Sequence, residues 1–224
     1  MMFVLALFVI MVIMLVLFEE VGAPMKRVCG YCDESVDYIE PQVYEDVITE
    51  DEKKYILETA EPLFTRSGIV GSSQPSDVRT SDTAWLPKDD PVVGPMMQRI
   101  CKQFQVPFEN SEQLQVVRYK PGTYYREHHD SCCDDQDSCV EFAAKTGQRI
   151  RTILLYLNDE FTGGATNFPA LNKQLKAPPR GAVVFYPMSN SGPLACHPKA
   201  LHAGMPVESG TKYICNIWIR ERPA

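Results

Sequence analysis

Basic residues are in deficit in this chain. Lys plus Arg number 22 against 29 Asp plus Glu, a net charge of −7, and the pI is near 5.2. Nucleic-acid binding through phosphate contacts draws on a surplus of Lys and Arg that displaces counterions, so no nucleic-acid partner is expected, although a local basic groove remains open. Overall apolarity is lacking too: the mean hydropathy of −0.19 excludes a polytopic membrane protein. There is no internal repeat and no low-complexity tract. With 45% hydrophobic and 23% charged residues, the chain is neither collagen-like nor disordered. No glycosylation sequon occurs. Histidine is scarce, with four in 224 residues. That length suffices for one domain or two small ones.

What is present begins with the one long apolar run. Residues 1–18 contain no polar side chain, and as a helix they would reach roughly 27 Å, near the thickness of a bilayer core. A cleaved signal peptide would have a basic start and a shorter apolar stretch, and a core helix would keep a polar face. The run is therefore expected to be a membrane anchor. Residues 19–41 then read as a linker and 42–224 as the folded body. Eight cysteines are many for a cytosolic chain of this size. Cys132, Cys133 and Cys139 cluster in an acidic stretch, which suits disulfides in an oxidising compartment. Cys29-x-x-Cys32 is half of a zinc site without its other half. It is equally a weak thioredoxin-like motif, because it lies in the linker and not at a strand-to-helix turn.

Along the body, Thr49-Glu50-Asp51-Glu52 predicts a capped helix. Tyr55, Ile56, Thr59 and Leu63 form its apolar face, and Pro62 ends it. Residues 67–84 are rich in Gly and Ser and read as a long loop able to act as a lid. Val93, Met96, Met97, Ile100 and Phe104 predict a second helix over 92–105. The period then shortens to two, with strands around 114–119, 124–130, 150–157, 182–186 and 213–219, punctuated by Gly and Pro. Two helices followed by many short strands imply a mainly β fold with flanking helices, an antiparallel sandwich or barrel.

The histidines then draw attention. In Glu127-His128-His129-Asp130, alternation along a strand would set His128 and Asp130 on one face and His129 on the other. With a second histidine from a distant strand, such a pair makes a facial triad of two His and one carboxylate. Three positions on an octahedral Fe(II) then stay open. Alone, the pair is most often a surface hydrogen bond. His202, in His202-Ala203-Gly204, supplies the candidate third ligand. Lys212 follows ten residues later, across the turn Ser209-Gly210. It could pair with the far carboxylate of a dicarboxylic keto acid bound at the metal. Taken singly, Lys212 reads as a surface lysine.

Together these residues resemble a family. Tyr119-x-x-Gly122-x-x-Tyr125-x-x-His128-x-Asp130 is followed by His202-Ala203-Gly204-x-Pro206-Val207-x-x-Gly210-x-Lys212 and Trp218. This series is similar to that of the prolyl 4-hydroxylases, Fe(II)- and 2-oxoglutarate-dependent dioxygenases, notably the small single-chain algal, plant and viral type. Arg79-Thr80-Ser81 with Trp85, Arg149-x-x-Thr152, Leu155-Tyr156-Leu157-Asn158, Gly163-Gly164-x-Thr166 and Phe168-Pro169 extend the likeness over roughly 42–222. The resemblance implies a double-stranded β-helix (jelly-roll) core and iron ligation by His128, Asp130 and His202. It implies Lys212 on the distal carboxylate of 2-oxoglutarate, helped by Tyr119 and Thr166. Arg79, Trp85, Arg149 and Trp218 would contact the peptide or line the active site. The implied cofactors are Fe(II), 2-oxoglutarate as cosubstrate, O2 and ascorbate. The implied partner is a proline-rich peptide or protein hydroxylated to 4-hydroxyproline.

Peptidyl lysine as target, a non-enzymatic binding module and a membrane-tethered disulfide oxidoreductase using Cys29 and Cys32 are the alternatives. The acidic segment 131–148 is expected over the site mouth, stapled by disulfides. No role attaches to His129 or His197. Charges flanking the apolar run lean weakly toward a cytosolic body. The cysteines and the resemblance weigh more and imply a single-pass protein of the endoplasmic reticulum membrane with a lumenal catalytic body.

Overall fold

The structure, a computed structural model, describes residues 38–68, 77–133, 137–188 and 196–224. The expected anchor at 1–18 and Cys29-x-x-Cys32 lie outside the described residues. Among the described residues no helix is long and apolar enough to cross a membrane. Tyr38, within the stretch read as linker, is buried and stacks on His197 at 4.3 Å between ring centroids.

Helix α1 (Glu50–Ala60) starts as its sequence predicts. The Thr49 hydroxyl accepts from Glu52 N at 3.1 Å, and the Glu52 carboxylate accepts from Thr49 N at 2.7 Å. These two bonds satisfy donors that a helix start leaves open. The apolar face is narrower than expected: Ile56 and Ala60 are buried, whereas Leu63 is 47% exposed in a 3-10 turn. Helix α2 (Val93–Gln103) buries Val93, Met96, Met97 and Ile100. Asp90 caps it by accepting from Val92 N and Val93 N, both at 2.9 Å.

The strands are β1 (Gln42–Tyr44), β2 (Thr65–Arg66), β3 (Asp82–Leu86), β4 (Leu114–Tyr119), β5 (Tyr125–His128), β6 (Arg149–Tyr156), β7 (Phe161–Gly163), β8 (Thr166–Phe168), β9 (Lys173–Leu175), β10 (Ala182–Phe185), β11 (His202–Gly204), β12 (Val207–Gly210) and β13 (Lys212–Arg220). A third helix, α3 (Asp137–Ala144), lies between β5 and β6. The seven-stranded sheet runs β1-β10-β6-β13-β4-β3-β2, the four-stranded sheet β5-β11-β8-β9, and β12 pairs with β7. All of these pairings are antiparallel. This is the mainly β, double-stranded β-helix architecture with flanking helices.

The large sheet is buried on both faces, so its strands read as nearly continuous apolar runs. Ile153, Leu155, Cys215, Ile217 and Ile219 pack toward α1 and α2, with Leu114 and Val116. The alternate positions Leu154, Tyr156, Ile214, Val117, Tyr119 and Phe185 meet Phe161, Phe168 and Val207 between the sheets. On β13 this alternation puts Lys212, Ile214, Asn216 and Trp218 in one row facing the interior.

Two expectations need correction. Residues 67–84 are not one loop, because 82–84 belong to β3, paired with β4. The polar composition hid this strand. Buried Ser67, Ser81 and Thr83 satisfy one another, with hydroxyl contacts of 2.8 and 2.6 Å, so Ser and Thr serve as interior residues here. The expected strand 124–130 stops at His128, leaving Asp130 beyond the ladder.

Candidate metal and cosubstrate site

Strands β5 and β11 pair with His128 opposite His202, and the two rings lie 4.3 Å apart. His128 Nδ1 is 2.8 Å from Arg126 O, and His202 Nδ1 is 3.0 Å from Ala200 O. A carbonyl only accepts, so Nδ1 carries a proton in both rings and Nε2 is the nitrogen that faces the site. Both Nε2 atoms aim at Asp130 Oδ1, at 3.8 and 3.9 Å. Those distances are too long for hydrogen bonds, so the three donors surround a common point without bonding to each other.

Asp130 is buried, and its other oxygen, Oδ2, accepts from the Thr152 hydroxyl at 2.6 Å. Burial alone would raise its pKa, but His202, His128, Arg149 and the Thr152 bond together hold it below the usual carboxylate range. Burial, then the neighbouring His202, pushes the His128 pKa well below 6.5 and keeps that imidazole neutral. Two imidazoles and one carboxylate, all within 4.8 Å of one another and each oriented by a second hydrogen bond, form a donor set that fits Fe(II).

A second grouping, His129 with Cys133 and Cys196, also lies within 4.8 Å. Its sulfurs are joined as a disulfide, which withdraws them from metal binding. Cys101 and Cys215 are buried free thiols.

The donors open into a cavity whose lining also includes Tyr119, Thr166 and Lys212. Lys212 is 2% exposed. Its ammonium donates to Gly164 O at 2.7 Å and faces the Tyr119 and Tyr156 rings at 5.2 and 5.0 Å. Gly164 can present that carbonyl because it adopts φ +62°, where a Cβ would press on Phe161 and Val207. Burial, with repulsion from Lys176, lowers the Lys212 pKa to about 7. The Thr166 hydroxyl meets the Tyr156 hydroxyl at 2.8 Å, and the Tyr156 hydroxyl donates to Leu175 O at 3.2 Å.

A larger cavity, about 330 Å³, adjoins the first through Arg79, Tyr125, Asp130 and Trp218. Trp85, 44% exposed, lines it 6.2 Å from Trp218. Arg79 is buried, donates to Ser81 and Gln115, both at 3.2 Å, and lies over the Tyr125 ring. Arg149 stacks on Trp218 at 3.4 Å, forks onto Glu112 at 2.6 and 2.8 Å, and reaches Asp130 O at 3.3 Å. Arg220 shares the same Glu112 oxygen at 2.6 Å. In the segment 131–148, Phe142 on α3 packs under Arg149 and Arg220.

All ten residues singled out in the sequence thus line these two adjoining cavities. Sequence reasoning passed over Glu112, Gln115, Asn216 and the supporting role of Thr152. Glu112 carries no local signal at all. Asn216 was findable, because period two from Lys212 on a single strand reaches it before Trp218.

Similarities to known proteins agree with this geometry. The sequence model of the 2OG-Fe(II) oxygenase superfamily matches residues 114–220. The "Putative prolyl 4-hydroxylase" of Acanthamoeba polyphaga mimivirus is 45% identical over 199 residues, covering 88% of this chain and 81% of its own. Prolyl 4-hydroxylase 1 of Arabidopsis thaliana is 33% identical over 200 residues, covering 80% and 68%. The solved 2-oxoglutarate complex of a viral collagen prolyl hydroxylase from Paramecium bursaria Chlorella virus-1 superposes with a TM-score of 0.63 at 28% identity. It covers 81% of this chain and 96% of that one.

The expected placement in the endoplasmic reticulum membrane is overturned. No described helix can span a bilayer, and a solved structure that resembles this chain is a viral enzyme. The apolar run and the cysteine count pointed elsewhere because composition reports what a segment could do, not where the protein resides. The matched residues include every donor of the metal cluster and the buried lysine: the chain belongs to the prolyl 4-hydroxylase family of Fe(II)- and 2-oxoglutarate-dependent oxygenases.

Proposed function

We propose that this chain hydroxylates proline in a peptide to 4-hydroxyproline, consuming O2 and 2-oxoglutarate and releasing succinate and CO2. His128, Asp130 and His202 would hold Fe(II), and Lys212 the distal carboxylate of 2-oxoglutarate. The observation that carries this reading is the convergence of three donors with no bonds among themselves, in a cavity whose one buried ammonium among the described residues is Lys212. When bound, Fe(II) supplies the oxygen chemistry that no side chain can perform.

The chain's own residues supply the rest. The backbone carbonyls of Arg126 and Ala200 fix both imidazole tautomers. Thr152 holds Asp130 Oδ2 and leaves Oδ1 for the metal. Lys212 orients the cosubstrate by charge, while Leu154, Phe185 and Ile214 keep water away from it. Trp85, Trp218 and Tyr125 line the larger cavity, which suits a polyproline II segment whose ordering costs little. Arg79 and Arg149 stand at its wall. In this reading residues 42–224 form the catalytic unit.

The test offers proline-rich and lysine-containing peptides to the chain with Fe(II) and 2-oxoglutarate. The expected result is a gain of one oxygen on proline, matched by succinate. His128→Ala and Asp130→Ala should abolish both products. Normal turnover in either variant, or oxygen on lysine alone, refutes the reading.

A further inference from the structure

We propose that the Cys133–Cys196 disulfide is a positioning element of the metal centre, tying the segment that carries Asp130 to the segment that carries His202. The inference rests on the ligand assignment above. The β5–β11 ladder registers His128 against His202, but β5 ends at His128, so the ladder does not place Asp130. The backbone around Asp130 is fastened to the other side, toward β6. Arg149 Nη1 donates to Asp130 O at 3.3 Å, the Ser131 hydroxyl donates to Arg149 O, and Cys132 exchanges two bonds with the Gln148 side chain at 3.0 and 2.8 Å. The disulfide makes the tie toward His202. Cys133 lies three residues past Asp130 and Cys196 six before His202, with Cα atoms 5.2 Å apart and a sequence separation of 63.

The span from Cys196 to His202 is stiff enough to transmit that tie. His197 N donates to Pro187 O at 2.9 Å, and Ala200 N donates to His197 O at 2.8 Å across the 3-10 turn Pro198–Ala200. Ala200 O is the acceptor that orients the His202 ring. His129 sits against the two sulfurs, within 4.8 Å. A chain of short, bonded links therefore runs from Asp130 through the disulfide to the carbonyl that aims His202. Supports of this kind are worth about 10- to 100-fold in metal affinity at other metal sites.

The test titrates metal-free full-length chain with Co(II) under anaerobic conditions, following the absorption of the bound ion. Wild type is compared with the Cys133→Ser/Cys196→Ser double variant and with His128→Ala. The expected result for the double variant is about tenfold or greater weakening of Co(II) binding. Its far-UV circular dichroism should match wild type, and its 2-oxoglutarate KM at saturating Fe(II) should stay within about twofold, a split that a general loss of structure would not produce. A folded double variant with wild-type Co(II) affinity overturns the proposal. Should the double variant not fold, the native protein is reduced with a phosphine. Each disulfide reduced, including the one that holds Cys132, yields two thiols, and each phosphine consumed leaves as its oxide with oxygen taken from water. Alkylation and mass spectrometry verify the Cys133 and Cys196 thiols. The titration is then repeated on the reduced chain and on an unreduced Cys132→Ser chain. Unchanged Co(II) affinity on reduction overturns the proposal, as does an equal loss in unreduced Cys132→Ser, and a tenfold loss confined to the reduced chain supports it. His128→Ala separates the two levels: wild-type affinity there sinks the ligand assignment itself. Loss of Co(II) in His128→Ala with full retention in the double variant sinks only the role of the disulfide.

Discussion

Lys212 makes the sharpest test of the cosubstrate pocket, because its charge is costly until an anion arrives. The side chain is fully enclosed, with Gly164 O as a hydrogen-bond acceptor and two tyrosine faces beside it. Burial, then Lys176, lowers its pKa from 10.5 to about 7 in the ligand-free fold. Between those values the unfolded chain binds a proton that the folded chain does not. The ligand-free protein therefore gains stability as pH rises from 7 to 10.5, by about 1.4 kcal/mol per unit, and the penalty is constant below 7. Binding of a dicarboxylate runs the opposite way. Only the protonated fraction can pair with the distal carboxylate, so apparent 2-oxoglutarate affinity should fall about 2-fold at pH 7, about 10-fold at pH 8 and about 100-fold at pH 9. Calorimetric titration of 2-oxoglutarate into the Mn(II)-loaded chain measures this, and urea unfolding of the ligand-free chain measures the stability arm. Lys212→Met is the control. It should bind 2-oxoglutarate weakly at every pH and unfold at higher urea than wild type at pH 6.5, with that gap closing toward pH 10. A wild-type affinity that is flat from pH 6.5 to 9, or a stability gap indifferent to pH, refutes the reasoning.

Other residues give simpler expectations. Glu112 receives bonds from both Arg149 and Arg220, so Glu112→Ala strands two buried guanidinium groups. It should cost about 3–5 kcal/mol in urea unfolding, and a loss below about 1 kcal/mol would show that the charges find other partners. Arg79→Ala removes a cation shared by both cavities. Peptide KM should rise about tenfold, the worth of a charged hydrogen bond, with 2-oxoglutarate KM unmoved; unchanged peptide affinity takes Arg79 out of the groove. Thr49→Ala deletes the α1 cap and should lower stability by about 1 kcal/mol, with Thr49→Asp restoring it. An equal loss in both variants would refute capping as the cause.

The fold was legible mainly where a longer element repeated an apolar pattern; the eight-residue α3 and the five-residue, polar-flanked β3 were passed over. The capping box at Thr49 and the spacing from Val93 to Ile100 mark α1 and α2 to within two or three residues at each end. Strands β4, β6, β10 and β13 show as apolar stretches because both faces of the large sheet are covered. The short strands gave nothing to read. Strands β2, β7, β8, β9 and β11 hold two or three residues each, fewer than period two needs to show itself, and they exist because a neighbouring strand supplies hydrogen bonds. Among them is β11, which carries His202. Its role as a strand was invisible even though its histidine was conspicuous.

The site divides along chemical rarity. His128, His202 and Lys212 stood out because imidazoles are few and because the spacing of the lysine to a histidine was specific. Their supports are common residues whose roles exist only in three dimensions. Glu112 is one carboxylate among 29 acidic residues until two guanidinium groups close on it. Asp130 is the instructive case. Alternation along a strand predicted that it shares a face with His128, and the two side chains do converge. The strand, however, has ended before Asp130, so pleating is not the cause. A carboxylate beyond a ladder goes where its oxygens and backbone are bonded, and here the Thr152 hydroxyl and the Arg149 guanidinium draw it inward. Thr152→Val therefore separates the two explanations. If pleating placed Asp130, metal affinity would survive the loss of the hydroxyl. If the hydroxyl places it, Co(II) binding should weaken by about tenfold or more while the β5–β11 pairing, read by amide exchange, stays intact.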